Sequence, residues 1–217
     1  EFFRLLFDKP EILEWEKFWL ERNKDLDKEI YGLVKWVNPK LSFGLNVWNR
    51  NHFNLIRKIQ WPWKEQVKYS DWVKPITYQH QSGEIFEREI NIFGKTILNN
   101  LTKSEVTSVF AKILGVNESS LDNLTQRGLD PDTYIYTQCK DAVRGVENEA
   151  DVYMGIGIDA PRSTKEQAKC TPDIAYRSVL ATYKAGGKGI VLSPNYSSMK
   201  LSNLDGVAKA LKELNIF

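Results

Sequence analysis

The chain has 217 residues, 42% of them hydrophobic, which is enough to bury a sizeable core. Lys and Arg total 30 against 28 Asp and Glu, a formal charge of +2 with the two signs interleaved, so no electrostatic footprint for DNA or RNA is expected. No apolar stretch approaches the roughly 18 to 20 uncharged residues that span a bilayer, and the N-terminus has no signal-peptide core. The expectation is a soluble chain with neither nucleic acid nor membrane as partner; a secreted or periplasmic location stays open.

The first segment, 11–37, sets Ile12, Trp15, Trp19, Leu26, Ile30, Leu33, Val34 and Val37 at helical intervals, with charges between them, and predicts one long amphipathic helix. Its charge-rich stretch 21–29 is expected to be a solvated face, and Trp15, Trp19 and Trp36 to be packing residues. Asn38-Pro39 stops it, since proline disfavours helical geometry in the residue before it and donates no backbone bond. A strand is predicted over 41–48, then a polar and aromatic stretch, 49–54, then mixed helix to about Tyr69 through the turn Trp61-Pro62-Trp63, expected to be a packed hydrophobic corner. The second strand is predicted over 72–78, with Pro75 marking a bulge or a strand end because a ladder bond is lost there.

Helical spacing follows at 83–99 and 103–114, the latter entered by Thr102-Lys103-Ser104-Glu105, the pattern of a capping box. Residues 117–132 are rich in turn formers, and Asp130-Pro131-Asp132 opens a predicted helix to about Arg144, although Thr133-Tyr134-Ile135-Tyr136-Thr137 has strand-like propensity. The third strand, 151–158, is short and apolar, as a strand covered on both faces should be, and its glycines suggest close backbone approach. Thr171-Pro172-Asp173 opens a helix through Lys184, the fourth strand is 189–193, and a last helix is predicted over 201–214.

Strand and helix alternating in this way predict an α/β fold with a parallel sheet and right-handed crossovers. An open dinucleotide-binding sheet would place Gly-x-Gly-x-x-Gly in the turn after a strand, whereas Gly155-Ile156-Gly157 lies inside one. The favoured architecture is therefore a (β/α)8 TIM barrel, of which residues 1–217 form a single domain supplying the C-terminal half, about four β/α units, since a complete barrel has eight strands. Met154 and Met199 are the only methionines, so Glu1 is not expected to be a translational start. A missing N-terminal half, or another chain completing the barrel, is expected to cover the edges of the half sheet.

The segments 43–49 (FGLNVWN), 76–83 (ITYQHQSG), 155–161 (GIGIDAP) and 187–193 (GKGIVLS), with 199–204 (MKLSNL), resemble the later strands and last helix entry of bacterial glycoside-hydrolase-like barrels, relatives of the β-galactosidase and α-amylase type barrels. The resemblance implies carbohydrate as the ligand and a pocket at the C-terminal strand ends. It also implies one acid after the fourth barrel strand, which would lie upstream of Glu1, and a second after a later strand. Asp159 matches that second position as the expected catalytic residue, an Asp where many relatives have Glu, and it could equally cap its loop or pair with Arg162.

Hydrolysis of a glycosidic bond needs two carboxyl groups flanking it. Around such a centre, Asn46, Trp48, Asn49 and His52 at the end of the first strand offer an aromatic platform beside amide donors, and Tyr78, Gln79 and His80 at the end of the second offer neutral donors and acceptors for hydroxyls. Asn195 and Tyr196 follow the fourth strand. A non-catalytic carbohydrate-binding barrel and a structural or assembly subunit are the alternative readings. Cys139 and Cys170 lack the spacing of a zinc or redox motif and are expected to be reduced structural thiols, so neither metal nor cofactor is expected.

Overall fold

A computed structural model describes residues 2–48, 52–117, 122–158, 168–193 and 199–216. In chain order the elements are α1 (Phe2–Asp8), α2 (Glu11–Val37), β1 (Gly44–Val47), α3 (Leu55–Gln60), α4 (Trp63–Gln66) with a 3₁₀ turn at Val67–Tyr69, β2 (Trp72–Pro75), α5 (Gln79–Lys95), α6 (Lys103–Leu114), α7 (Leu124–Arg127), α8 (Pro131–Gly145), β3 (Asp151–Gly157), α9 (Pro172–Lys184), β4 (Gly189–Ser193) and α10 (Ser202–Glu213).

The sheet is parallel throughout and its order, β1-β2-β3-β4, follows the sequence. A doubly wound sheet reverses strand order at its switch point; these four strands never reverse, which is the winding of a barrel wall. The fold is thus α/β with four β/α units, consistent with a partial (β/α) barrel. Among the described residues β1 and β4 each pair on one side only, so the sheet is incomplete as a closed structure.

Local chemistry explains most boundaries. Helix α6 starts in a complete capping box, in which the Thr102 hydroxyl accepts from the Glu105 N–H while the Glu105 carboxylate accepts from the Thr102 N–H at 2.8 Å. Asp130 and Thr171 cap α8 and α9, each followed by proline at the first helical position. Segment 134–137, strand-like in propensity, is helical because Tyr134 and Ile135 are fully buried on the core side of α8.

The sequence reading carries the second strand to Tyr78 and starts the next helix at Gly83; both boundaries are shifted. The β2 ladder ends at Pro75, which has no N–H to give, and only the single bridge Ile76↔Gly155 continues its register. Helix α5 begins four residues earlier than expected, at Gln79, and Tyr78 at its N-cap makes no side-chain capping bond.

Successive strand residues point to opposite faces. Val73, Val152 and Met154 join Phe86, Phe110 and Tyr134 in one apolar cluster, while Ile156 and Ile158 join Ala175, Val179 and Val207 in a second. The helices therefore cover this face. The opposite face carries Asn46, Trp72, Lys74, Tyr153 and Gly155 in alternation, with Trp72 edge-on to Tyr153 at 5.8 Å.

The two last helices meet at a glycine. A Cβ on Gly206 of α10 would lie 1.9 Å from the carbonyl oxygen of Pro172, at the start of α9, and a backbone atom cannot swing aside. Gly206→Ala is expected to destabilise the fold by about 1 to 3 kcal/mol, read as a lower urea midpoint at unchanged m-value; an unchanged midpoint would refute this close approach.

The long helix α2 departs from the expected pattern. None of its side chains is fully buried, and Trp15 and Trp36 are exposed. It is fastened to the sheet near its C-terminal end, where Lys35 reaches the Asp71 carboxylate at 2.7 Å and Asp71 also accepts from the Phe43 N–H. These hydrogen bonds hold the Asp71 carboxyl below the usual carboxylate range against the opposing effect of burial.

Candidate functional site

At the C-terminal end of β1, Val47 turns into the protein while Asn46 and Trp48 face outward, Trp48 with 64% of its surface exposed. Across from them runs α2. Its residues Trp19, Asn23 and Asp27 are spaced four apart and so share one stripe of the helix. With Asn46, Trp48 and Gln81 they line a cavity of about 750 Å³.

The guanidinium of Arg57 lies over the Trp19 ring, 4.8 Å from its centroid, and braces that wall. Burial raises the Asp27 carboxyl above its ordinary value, because the charged form gives up hydration there. Indole faces suit C–H surfaces, amides suit hydroxyl groups, and a carboxyl that keeps its proton to higher pH can donate it.

His52 sits behind the same wall. It is buried, its Nδ1 stands 3.4 Å from the Tyr134 hydroxyl, and its ring lines a second cavity of about 400 Å³. Val47, Arg57, Trp61 and Gln66 contribute to both cavities, so the two adjoin. Burial and, to a lesser degree, Lys58 push the His52 imidazole down to about 3.

Tyr78, Gln79 and His80 occupy a different setting. All three are buried, Gln79 and His80 at 1% and 2% exposure, and they seal the junction between the ends of β2 and β3. His80 fits because residue 157 is glycine: a Cβ there would stand 2.3 Å from His80 Cε1. The Tyr78 and His80 rings stack at 6.4 Å with an interplanar angle of 11°.

Gln79 Nε2 approaches Cys170 Sγ at 3.9 Å, and Asn203 Nδ2 donates to the carbonyls of Ile158 and Cys170, which stitches the ends of β2, β3 and α9 together. Burial pushes the His80 imidazole down to about 4. These side chains are internal, whereas the sequence reading placed them on an open rim.

The structure thus gathers Asn46 and Trp48 around one cavity, places His52 on its neighbour, and withdraws Tyr78, Gln79 and His80 into the interior. Asn49, Asp159, Asn195 and Tyr196 lie outside the described residues. Trp19, Asn23 and Asp27 were read as packing or solvated positions and are wall residues instead. Their four-residue spacing was the available signal, hidden because Trp and Asp also suit an ordinary helix surface. Trp61 and Trp63 likewise face a cavity.

Among the described residues no cluster of three or more His, Cys, Asp or Glu could hold a metal ion, and no helix is long and apolar enough to cross a membrane. Both cysteines are buried and neither is in a disulfide, with the Cys139 thiol pushed up to about 12 by burial. Comparison with protein-family models, curated proteins and solved structures finds no match to this chain.

Proposed function

We propose that this chain is the C-terminal half of a glycoside-hydrolase-like barrel and that the cavity at the end of β1 binds a carbohydrate. The observation that carries the reading is the composition of that cavity: Trp19 and Trp48 supply ring faces, Asn23, Asn46 and Gln81 supply amides, and Asp27 supplies an acid. A volume of about 750 Å³ lies within the range of small-ligand sites. The incomplete sheet supports the other part of the reading, since a missing N-terminal half or another chain would close it.

Hydrolysis in the intact protein needs two carboxyl groups. In this reading Asp27, whose carboxyl burial raises above its ordinary value, is the donor to the leaving oxygen, and Asp159 is the second acid. In this reading Asn49, Asn195 and Tyr196 also contact the sugar, while Tyr78, Gln79 and His80 hold the strand ends from the interior without touching it.

Calorimetry against a panel of oligosaccharides tests this directly. Saturable binding is expected, weakened about tenfold in Trp48→Ala, the loss of roughly 1.4 kcal/mol of stacking. Reducing-end release by the intact protein should disappear in Asp27→Asn while binding persists. Binding without any release would instead favour the non-catalytic carbohydrate-binding barrel, and no saturable binding at all would refute the sugar site.

A further inference from the structure

The apolar side of α2 is turned away from the fold. The helix rests on the rest of the protein along Leu20, Lys24, Asp27, Tyr31 and Val34, which are half-buried. Trp15, Trp19, Leu26, Ile30, Leu33 and Val37 form a separate stripe. At about 3.6 residues per turn they fall within about 60° of the helix circumference, centred about a third of a turn from that contact line. Each keeps 38 to 66% of its surface exposed, and no residue of α2 belongs to either apolar cluster of the core.

Two properties say what covers the stripe, and the first is area. With a whole aromatic side chain taken as about 150 to 250 Å², those six side chains present roughly 600 Å², and the exposed Phe18 and Trp36 on one flank raise this to about 900 Å². A standard interface takes about 800 Å² from each partner.

The second property is symmetry. Counting outward from Leu26, stripe positions occur four, seven and eleven residues away in both directions: Arg22 and Ile30, Trp19 and Leu33, Trp15 and Val37. An antiparallel copy of α2 related by a two-fold axis at Leu26 therefore sets Leu26 against Leu26, Trp19 against Leu33 and Trp15 against Val37, each contact occurring twice except the one on the axis. An eleven-residue repeat covers three turns at about 3.67 residues each, so the stripe barely winds and two nearly straight helices stay in contact along it. Arg22 is the one charged position of the stripe, and it lies toward the same flank as Glu29. The two-fold brings Arg22 of each copy beside Glu29 of the other. Within one chain Arg22 holds only the exposed Asp25, at 2.7 Å.

We infer that α2 is a self-association surface, through which two copies of this chain pair antiparallel about a two-fold axis at Leu26. The inference rests on none of the sugar-site reading, although Trp19 borders both surfaces.

Sedimentation velocity of the full chain over a range of concentrations tests it, and a reversible dimer is expected. Leu26→Lys sets two like charges together on the axis and should raise the dissociation constant about a hundredfold. Arg22→Glu and Glu29→Arg each oppose like charges twice in the dimer and should weaken it about tenfold. An equimolar mixture of those two variants, and the double variant R22E/E29R, should regain the original affinity, because every pair is again opposite in sign. None of these side chains is buried in the fold, so the variants stay folded. A chain that remains monomeric overturns the inference and leaves the stripe to a partner of another sequence. A dimer indifferent to Leu26→Lys, or charge reversals that have no effect or that mixing fails to rescue, overturns it equally by placing the contact elsewhere or in another register.

Discussion

Lowering the pH from 7 to 5 is expected to cost the fold about 4 kcal/mol, nearly all of it from the two histidines. His52 and His80 are buried, and burial drops their imidazoles from 6.5 to about 3 and about 4. In the unfolded chain both protonate as pH falls through 6.5, while in the folded chain both stay neutral. The unfolded state therefore binds more protons across this window, and stability falls with falling pH. At pH 5 each ring contributes about 1.5 pH units at ~1.36 kcal/mol per unit, or about 2 kcal/mol.

The carboxyl groups act lower down. Asp71 and Glu105 are held below their ordinary values by hydrogen bonds, and their stabilisation is lost only as pH falls below about 4. Asp27 works in the opposite sense, since its raised value makes the folded state the better proton binder in the acid range. Urea unfolding at pH 7, 6 and 5 measures the slope. His52→Gln and His80→Gln should each flatten it by about half, and a wild-type slope near zero between pH 7 and 5 contradicts the neutral buried state of both rings.

Those two histidines also show where reading the sequence succeeds and where it stops. The order of elements was legible because each rests on local chemistry. Continuous apolar runs at 151–158 and 189–193 mark strands covered on a face, and Thr102, Asp130 and Thr171 stand where capping side chains are required. Gly157 was read as a point of close approach, and it is one, with the His80 ring in the space a Cβ would fill.

What the residues concealed was which side of that contact is solvent. Tyr78-Gln79-His80-Gln81 is a polar string at a strand end, the usual composition of an open rim, yet Gln79 and His80 form the first turn of α5 and face inward. No capping residue announces that turn, and Pro75 cuts the ladder short before it. On α2 the difficulty is reversed. Trp19, Asn23 and Asp27 carry no signature that separates a cavity wall from a solvated stripe, because the opposing wall, Asn46 and Trp48, is set by a strand nearly twenty residues on or more. Contacts of that range are a property of the fold.

The entry to α3, whose Arg57 lines both cavities, is anchored by one ring. Phe53 is fully buried, lies against Phe86 with centroids 5.6 Å apart and stacks on Tyr134 at 5.8 Å and 12°. It is next in sequence to His52 and just ahead of α3, whose Asn54 cap accepts from the Arg57 N–H at 3.0 Å. The ring thus anchors the start of α3, whose Arg57 lines both cavities. Phe53→Ala removes the ring from a closed core and is expected to destabilise by about 3 to 5 kcal/mol, whereas Phe53→Leu should cost less because most of the volume is kept. Urea titration with an unchanged m-value measures both. Native-state hydrogen exchange adds a local readout: amides of α3 should lose protection in Phe53→Ala at least as much as those of α9, which packs in the other apolar cluster. A loss below about 1 kcal/mol would show that the site collapses around the gap, and protection unchanged in α3 would detach the cavity wall from this anchor.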